Sequence, residues 1–231
     1  MPRKPAAPDA PAGVRDGRST RWDPHRQERR LAIITSAIAA IEEFGPDVLT
    51  AQIAEQANVP RTHVYRHFED KAALELAVST HVANQIGRQV QAGLAGGGTA
   101  LSIIAGAIDQ HLGWVEDHPN LYRFLAQHSY RIARTDMPSG AGDAKAVLAA
   151  ELTTLWSRYM TALGLDTTPA ERVIVGVVGL VDATAAWWLG HTDLPRASVA
   201  AELTDQVWLL IDRTTRQLGL VLDPNQTLPP I

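Results

Sequence analysis

Apolar side chains recur at three- and four-residue spacing along most of the chain, and this pattern predicts a series of amphipathic helices. The first predicted helix covers residues 25–44, and its apolar stripe comprises Leu31, Ile34, Ile38, Ile41 and Phe44. The pair Gly45-Pro46 ends this helix, because neither residue favours its continuation. No convincing alternation of apolar and polar residues marks a strand, so the predicted fold class is all-α.

Two short helices joined by a tight turn are predicted between residues 50 and 71, where the chain reads TAQIAEQANVPRTHVYRHFEDK. The first begins after Thr50, which is a common N-cap residue type, and the turn lies at 58–60. The second runs from Arg61 to about Phe68. A longer helix starts near Asp70, a second N-cap candidate, and continues to about residue 91.

The rest of the pattern predicts helices at about 99–117, 119–134, 143–164, 168–190 and 197–218. Prolines at 119, 169 and 195 stand at or just before three of these starts, where proline is tolerated. The stretch GLAGGG at 93–98 is rich in glycine like a phosphate-binding loop, but no strand precedes it and no Lys-Ser/Thr pair follows. We therefore interpret it as a flexible connector.

The composition fits a soluble globular protein: of 231 residues, 45% are hydrophobic and 20% are charged. There are no cysteines, which excludes disulfides and thiolate metal sites. The first residues contain no apolar run that would mark a secretory signal. We expect a cytoplasmic protein that does not bind membranes.

The net charge of −4 is unevenly distributed. Residues 1–30 contain eight Lys or Arg against four Asp or Glu, whereas residues 79–231 contain ten against fourteen. Residues 1–24 are rich in Pro, Gly, Ala and Arg with little to bury, and they are predicted to form a disordered basic arm. A tail without a role is an equal alternative. The basic excess beside the two short helices favours nucleic acid as a partner.

The second short helix has the chemistry of a helix that reads DNA. Its polar face carries Arg61, Thr62, His63 and Arg66, and a helix-turn-helix places such a helix in the major groove of double-stranded DNA. Arginine is the natural partner of guanine O6 and N7 there. A merely solvated face is the general alternative, but here the apolar framework around the turn fits as well.

This segment resembles the DNA-binding region of TetR-family transcriptional regulators over residues 27–78. The resemblance rests on turn, core and polar residues at fixed spacing, namely Thr50, Ile53-Ala54, Ala57-Asn58-Val59, Val64-Tyr65-Arg66-His67-Phe68 and Lys71. In two places the chain departs from the family pattern, with Asn58 for the usual glycine and Pro60 for the usual Ser or Thr cap. Asparagine also tolerates the left-handed conformation, and proline suits a helix start.

The resemblance implies a homodimeric transcriptional regulator, expected to be a repressor, that binds a pseudo-palindromic site. It implies phosphate contacts from Thr50, Tyr65 and Lys71, and base contacts from the polar face. The complete set of predicted DNA-binding residues is Thr50, Arg61, Thr62, His63, Tyr65, Arg66, His67 and Lys71. Further arm contacts to DNA are predicted from Arg21, Arg26, Arg29 and Arg30.

Aromatic and polar residues accumulate in the middle helices, at about 99–164. The resemblance implies that a small-molecule effector binds there and moves the helix that begins near Asp70. The apolar and aromatic composition favours a lipophilic effector. The predicted effector-binding residues are Trp114, Phe124, Trp156 and Tyr159. An ordinary packed core is the alternative, because aromatic residues at helical spacing are more often core than pocket.

The most apolar window covers residues 172–190, where Asp182 in the middle makes a buried helix a better interpretation than a membrane span. Small residues recur in it at heptad-like spacing and let another helix approach closely. Together with the next helix they predict a dimer interface that comprises Gly176, Gly179, Ala183, Ala186, Leu203, Val207 and Leu210. A core helix within one chain is the alternative.

The predicted organisation is an N-terminal three-helix helix-turn-helix domain at 25–72, a larger helical effector-binding and dimerisation domain at 73–222, and a tail at 223–231. The alternatives are a DNA-binding dimer without an effector and a helical enzyme. No G-x-S-x-G, no HExxH and no acid–base constellation occurs, so no catalytic residue or cofactor is predicted. His63 and His67 form an HxxxH pair without a third ligand in sequence, so no metal site is predicted.

Overall fold

The computed structural model describes residues 17–95, 97–134, 144–191 and 193–228. Within these ranges the chain forms nine helices: α1 (Gly17–Phe44), α2 (Thr50–Gln56), α3 (Arg61–Val64), α4 (Lys71–Ala95), α5 (Ala100–Asp117), α6 (Pro119–Arg134), α7 (Ala144–Ala162), α8 (Ala170–Trp188) and α9 (Arg196–Gln217). The only extended pairing in the same ranges joins β1 (Gly98–Thr99) antiparallel to β2 (Thr227–Leu228). The predicted all-α class is confirmed.

Two turn residues in the N-terminal unit have positive φ angles, and for Asn58 the sequence led us to expect this conformation. Gly45 follows α1 with φ of 90°, and its N–H donates to the Ile41 carbonyl at 2.8 Å. Asn58 has φ of 51° in the turn between α2 and α3, so it supplies the conformation for which glycine is usual. The two turns bring α1, α2 and α3 together around one apolar cluster.

The start of α1 differs from the prediction, since this helix begins at Gly17 and not at residue 25. The last eight residues of the predicted disordered arm are therefore helical, and the rest of the arm lies outside the described residues. The sequence 17–24 has no apolar stripe, and Pro24 leaves one carbonyl of the preceding turn without its N–H partner. Hydrophobic periodicity therefore gave no sign of this extension.

The second short helix is also shorter than predicted, because α3 ends at Val64 instead of Phe68. The chain continues in tighter turns, in which the Arg66 N–H donates to the His63 carbonyl at 3.1 Å and the His67 N–H donates to the Val64 carbonyl at 3.0 Å. This tightening brings Phe68 into the core. In α2, Thr50 is the first helical residue and not the cap, a shift of one residue.

Helix α6 packs into the same apolar cluster as the N-terminal helices. Leu121, Phe124 and Leu125 of α6 join the buried residues of α1 to α4, among them Val64 and Phe68. Polar contacts at the junction add to this packing, since the Asn120 side-chain amide donates to the Glu42 carbonyl at 2.8 Å. The N-terminal unit therefore rests directly on the larger helical body.

A second apolar cluster lies within the body, between α5, α8 and α9. Its buried residues include Leu112, Val115, Trp188, Leu203 and Val207. The helices around it agree closely with the predicted ones, and the prolines at 119, 169 and 195 stand at helix starts as expected. Among the described residues, no helix is long and apolar enough to cross a membrane.

Asp70 caps α4 as predicted, because its Oδ1 accepts a hydrogen bond from the Ala73 N–H at 2.7 Å. We expect Asp70→Ala to lower the free energy of unfolding by about 1 kcal/mol, since an orphan helix N–H loses its acceptor. Urea denaturation followed by circular dichroism measures the change. The exposed neighbour Glu69 offers a matched control, and Glu69→Ala should change the value by less than about 0.5 kcal/mol. Equal losses in the two variants would contradict a capping role.

Candidate nucleic-acid interface and interior cavity

The surface of α3 and the turn after it presents the polar residues that the sequence singled out. Thr62 and Arg66 are exposed, and their side chains make no hydrogen bond to any described residue. Arg61 is exposed as well, and its Nη2 donates to the Tyr65 hydroxyl at 3.2 Å. The Arg61 guanidinium also lies 5.5 Å from the centre of the Tyr65 ring. This surface therefore presents guanidinium and hydroxyl groups, which are donor types that contact phosphates in protein–DNA complexes.

Thr50 occupies a different position from the other predicted contacts, because only 5% of its surface is exposed. A hydrogen bond with Thr50 is the main cause that lowers the pKa of Tyr65, and the bond with Arg61 follows. Thr50 at the start of α2 thus orients Tyr65, which follows α3. Its chief effect on this surface is through Tyr65.

His63 and His67 lie next to each other, with ring centres 5.1 Å apart. Burial lowers the pKa of His67, and the positive charges of His63, Arg26, Arg29 and Arg30 lower it further. His67 is therefore neutral at pH 7, and its buried Nδ1 has no hydrogen-bond partner in the described structure. In the described ranges, no group of three or more metal-ligating side chains surrounds the pair.

Arg30 has a structural role that the sequence did not indicate. Its Nη1 donates to the His67 carbonyl at 2.8 Å, and its guanidinium lies 4.2 Å from the centre of the Phe68 ring. Arg30 therefore holds the turn after α3 against α1. The prediction treated it as an arm contact to DNA, because spacing along one helix does not reveal a partner 37 residues away.

Lys71, the first residue of α4, forms an ion pair with Glu75, in which Nζ and Oε1 are 3.3 Å apart. Glu75 is buried, whereas Lys71 keeps 41% of its side chain exposed. The ion pair holds the ammonium group at the start of α4 without removing it from solvent. Lys71, Arg66 and Arg61 thus give this surface its exposed cations.

The helical body encloses a cavity of about 180 Å³. Aliphatic side chains from α4 to α9 form most of its wall, among them Ile86, Ile108, Leu152, Val178 and Ile211. Trp114 lines the cavity as predicted, but the other three predicted residues do not. Phe124 is buried in the cluster shared with the N-terminal helices, Trp156 packs beside α8, and Tyr159 lies outside the lining.

Three polar residues that were not among the predicted effector residues line this cavity: His111, Tyr122 and Asp182. The Tyr122 hydroxyl donates to the Asp182 carboxylate at 3.0 Å and lies 2.9 Å from the Asp182 carbonyl. Burial and the neighbouring carboxylate raise the pKa of Tyr122 far above its usual value, so this hydroxyl stays protonated. Burial lowers the pKa of His111, an effect that Asp182 partly opposes.

The outer face of α8 and α9 carries large apolar residues that are mostly exposed. Val175, Trp187 and Leu209 each expose more than half of their surface. The predicted seam residues Gly176, Gly179, Ala183 and Ala186 are exposed on α8, and Leu210 is exposed on α9. In contrast, Leu203 and Val207 are buried in the second apolar cluster, so they do not belong to this face.

A tight turn between two short helices, a polar second helix and a supporting helical body define a helix-turn-helix regulator of transcription. Residues 33–78 match the sequence family described as bacterial regulatory proteins, tetR family. Residues 89–219 match the family described as tetracyclin repressor-like, C-terminal domain. The chain belongs to the TetR family.

Individual proteins are similar over most of this chain. An uncharacterised HTH-type transcriptional regulator of Mycobacterium tuberculosis is 28% identical over 201 residues, which cover 84% of this chain and 80% of that protein. A tetR-family regulator from Streptomyces coelicolor has the same fold, with a TM-score of 0.63, 19% identity, and coverage of 84% and 86%. The regulator FadR from Bacillus subtilis, solved in complex with stearoyl-CoA, gives a TM-score of 0.57, 18% identity, and coverage of 77% and 96%.

The contacts of Arg30 predict a measurable contribution to stability. Arg30→Ala removes one hydrogen bond and one cation–π contact, and we expect the free energy of unfolding to fall by about 1 kcal/mol. Guanidinium chloride denaturation measures this change in the free energy of unfolding. Arg29→Ala is the matched control, since Arg29 is exposed and has the same charge without a described hydrogen bond. A loss as large in Arg29→Ala would mean that charge, and not these contacts, stabilises the turn.

Proposed function

We infer that this TetR-family protein is a ligand-responsive repressor that binds a pseudo-palindromic operator as a homodimer and is released by a small-molecule effector. One observation carries the inference: α3 presents exposed cations and hydroxyls on a unit that shares its apolar core with a cavity-bearing body. We assign DNA binding to residues 25–72 and effector binding and dimerisation to residues 73–222.

In this proposal, we assign DNA contacts to side chains according to how exposed each of them is. Arg61, Thr62 and Arg66 are exposed on or just after α3, and they reach base edges in the major groove. Tyr65 and Lys71 contact phosphates, and Thr50 supports Tyr65 from α2. His63 and His67 flank this surface, where neutral His67 braces the turn. Arg26 and Arg29 extend the positive potential along α1.

Dimerisation supplies a second reading helix for the second half-site of the operator. One four-residue helix makes few base contacts, and two copies read half-sites about 34–36 Å apart. We assign the interface to the exposed apolar face of α8 and α9, because its small residues permit close helix packing and its large residues are left uncovered. The assigned residues are Val175, Gly176, Gly179, Ala183, Ala186, Trp187, Leu209 and Leu210.

The cavity supports a small lipophilic effector, as its wall is almost entirely aliphatic. Its volume of about 180 Å³ is below the roughly 300–1,000 Å³ of typical ligand sites, but it exceeds the ~150 Å³ of an apolar cavity that holds benzene. FadR of Bacillus subtilis, which shares the fold, was solved with stearoyl-CoA. The modest volume favours one alternative, a DNA-binding dimer whose body serves only dimerisation.

Two contacts join the cavity to the DNA-binding unit, and they give the effector a route of action. Trp114 lines the cavity and packs on His118, with ring centres 5.4 Å apart. His118 Nδ1 in turn lies 2.8 Å from Glu42 Oε1 in α1. Ile86 of α4 also lines the cavity. A ligand that favours one arrangement of these side chains shifts the population of DNA-binding orientations.

Gel-shift titration on the DNA that flanks the gene of this protein, at two salt concentrations, tests the function. We expect a saturable complex that outcompetes unrelated DNA and weakens with added salt, because phosphate contacts release counterions. Lys71→Ala should weaken binding to all sequences, whereas Arg66→Ala should also reduce discrimination at its base pair by roughly 1–3 kcal/mol.

Arg158→Ala is the matched control for the gel shift, because this exposed arginine lies on α7, outside the proposed DNA surface. It removes the same charge and should leave the titration unchanged. Equal losses in Arg158→Ala and Arg66→Ala would contradict the assignment of α3 as the reading helix. If no specific complex forms there, selection from random DNA sequences decides whether the protein has an operator elsewhere.

Dimerisation through α8 and α9 predicts that one buried charge separates the subunits. Ala183→Glu places a carboxylate in the small-residue seam, and we expect a monomer with at least tenfold weaker operator binding, since unpaired charges are costly to bury. Light scattering coupled to gel filtration measures the mass. Gln110→Glu adds the same group at an exposed position of α5 and should remain dimeric. A dimeric Ala183→Glu protein would place the interface elsewhere.

A further inference from the structure

The cavity is apolar except where α5, α6 and α8 each contribute one polar side chain. His111 comes from α5, Tyr122 from α6 and Asp182 from α8. These residues are far apart in the sequence and meet only in the folded body. Every other described lining residue is aliphatic or is Trp114. The cavity therefore has a restricted polar region and a hydrocarbon wall.

Two of the three polar residues satisfy each other. The Tyr122 hydroxyl donates to the Asp182 carboxylate at 3.0 Å, and it remains a donor at neutral pH because burial and Asp182 raise the pKa of Tyr122. The carboxylate thus has a fixed donor within the cavity wall. This pair needs no ligand to complete its main hydrogen bond.

His111 differs, because no hydrogen bond joins its imidazole to any described residue. Burial lowers the pKa of His111, so its imidazole is neutral and offers one N–H donor and one nitrogen acceptor. His111 is one of the residues that line the cavity. A buried polar group without a partner is costly, and a ligand that supplies one gains affinity there.

Charge narrows the choice of ligand further. Among the described lining residues there is no lysine or arginine, and Asp182 is the only acidic one. An anionic head group would find no lysine or arginine among these described lining residues and would lie in a low-dielectric cavity beside a carboxylate, which is unfavourable. A cationic head group would compete with the Tyr122 hydroxyl for Asp182 and would bring its charge into a cavity whose other described lining is almost entirely hydrocarbon.

We propose that His111 marks the recognition point for an effector with a hydrocarbon skeleton and one uncharged hydrogen-bonding group, such as a hydroxyl. The hydroxyl donates to one nitrogen of His111 or accepts from the other, while the hydrocarbon part fills the aliphatic wall. The proposal rests on the proposed function of this cavity as an effector site. It specifies the polar end of the effector as neutral and not as a carboxylate, phosphate or ammonium group.

Four probes with the same skeleton test the proposal on the full-length protein: 3-phenylpropan-1-ol, propylbenzene, 3-phenylpropanoate and 3-phenylpropylamine. Isothermal titration calorimetry at pH 7.5 gives their affinities. We expect the alcohol to bind roughly three- to tenfold tighter than propylbenzene, the effect of one net hydrogen bond. The carboxylate and the amine should bind more weakly than the alcohol, because each brings a charge into the cavity.

His111→Leu should remove the advantage of the alcohol and leave the affinity for propylbenzene within about twofold, since leucine keeps the cavity apolar. His25→Leu, at an exposed histidine of α1, is the matched control and should keep the advantage. Unchanged helical circular dichroism verifies that both variants are folded. Should His111→Leu fail to fold, His111→Gln replaces it, and this variant should retain part of the advantage because its amide also forms hydrogen bonds.

The outcomes distinguish a wrong polar end of the effector from the absence of an effector function. Tightest binding by the carboxylate or the amine, or equal binding of the alcohol and propylbenzene, overturns the neutral polar end but leaves the effector function intact. If none of the four probes binds, both the polar-end proposal and the effector part of the proposed function are wrong. DNA binding in the gel shift then still stands by itself, as expected of the alternative without an effector.

Discussion

Leu121, Phe124 and Leu125 of α6 fill the same apolar cluster that holds Val64 and Phe68 around α3. This contact matters because α3 has only four helical residues, too few to be stable without tertiary packing. The orientation of the proposed DNA-reading surface therefore depends on a helix of the body. Because Tyr122 on the same helix lines the cavity, α6 places one set of side chains against the N-terminal unit and another against the proposed effector site.

The fold was predictable to a large extent because most of its helices are amphipathic. Apolar periodicity and terminal proline, glycine or aspartate residues located α4 to α9 closely, and Asn58 took the left-handed conformation that the turn requires. The parts of the fold that the sequence analysis did not predict lack these signals. Residues 17–24 are helical without an apolar stripe, and β1 pairs with β2 through two residues on each side, at a distance of more than 120 positions. Neither feature leaves a periodic trace in the sequence.

The candidate sites also differ in how far they could be predicted from the sequence. The exposure of Arg61, Thr62 and Arg66 was predictable, because a short local motif separates the apolar from the polar positions of this segment. Their contacts with DNA stay a prediction. The cavity was harder, since its polar region joins three separate helices and aromatic composition pointed instead to Phe124, Trp156 and Tyr159. Leu203 and Val207 show the same difficulty on α9: both have the spacing of an interface residue, but they face α5 and α8 within the chain. Deciding between core and surface requires knowing the neighbouring helix.

The side chains of Thr62 and Arg66 are exposed and make no hydrogen bond to any described residue, whereas Val64 and Phe68 of the same segment belong to the apolar cluster. The side chains that we propose to read DNA are thus separate from those that form the core. Under this proposal, a substitution at either exposed position alters which base pairs are preferred at little cost in folding. After gene duplication, one copy of such a regulator is free to diverge toward new promoters through neutral intermediates, and its body changes little meanwhile.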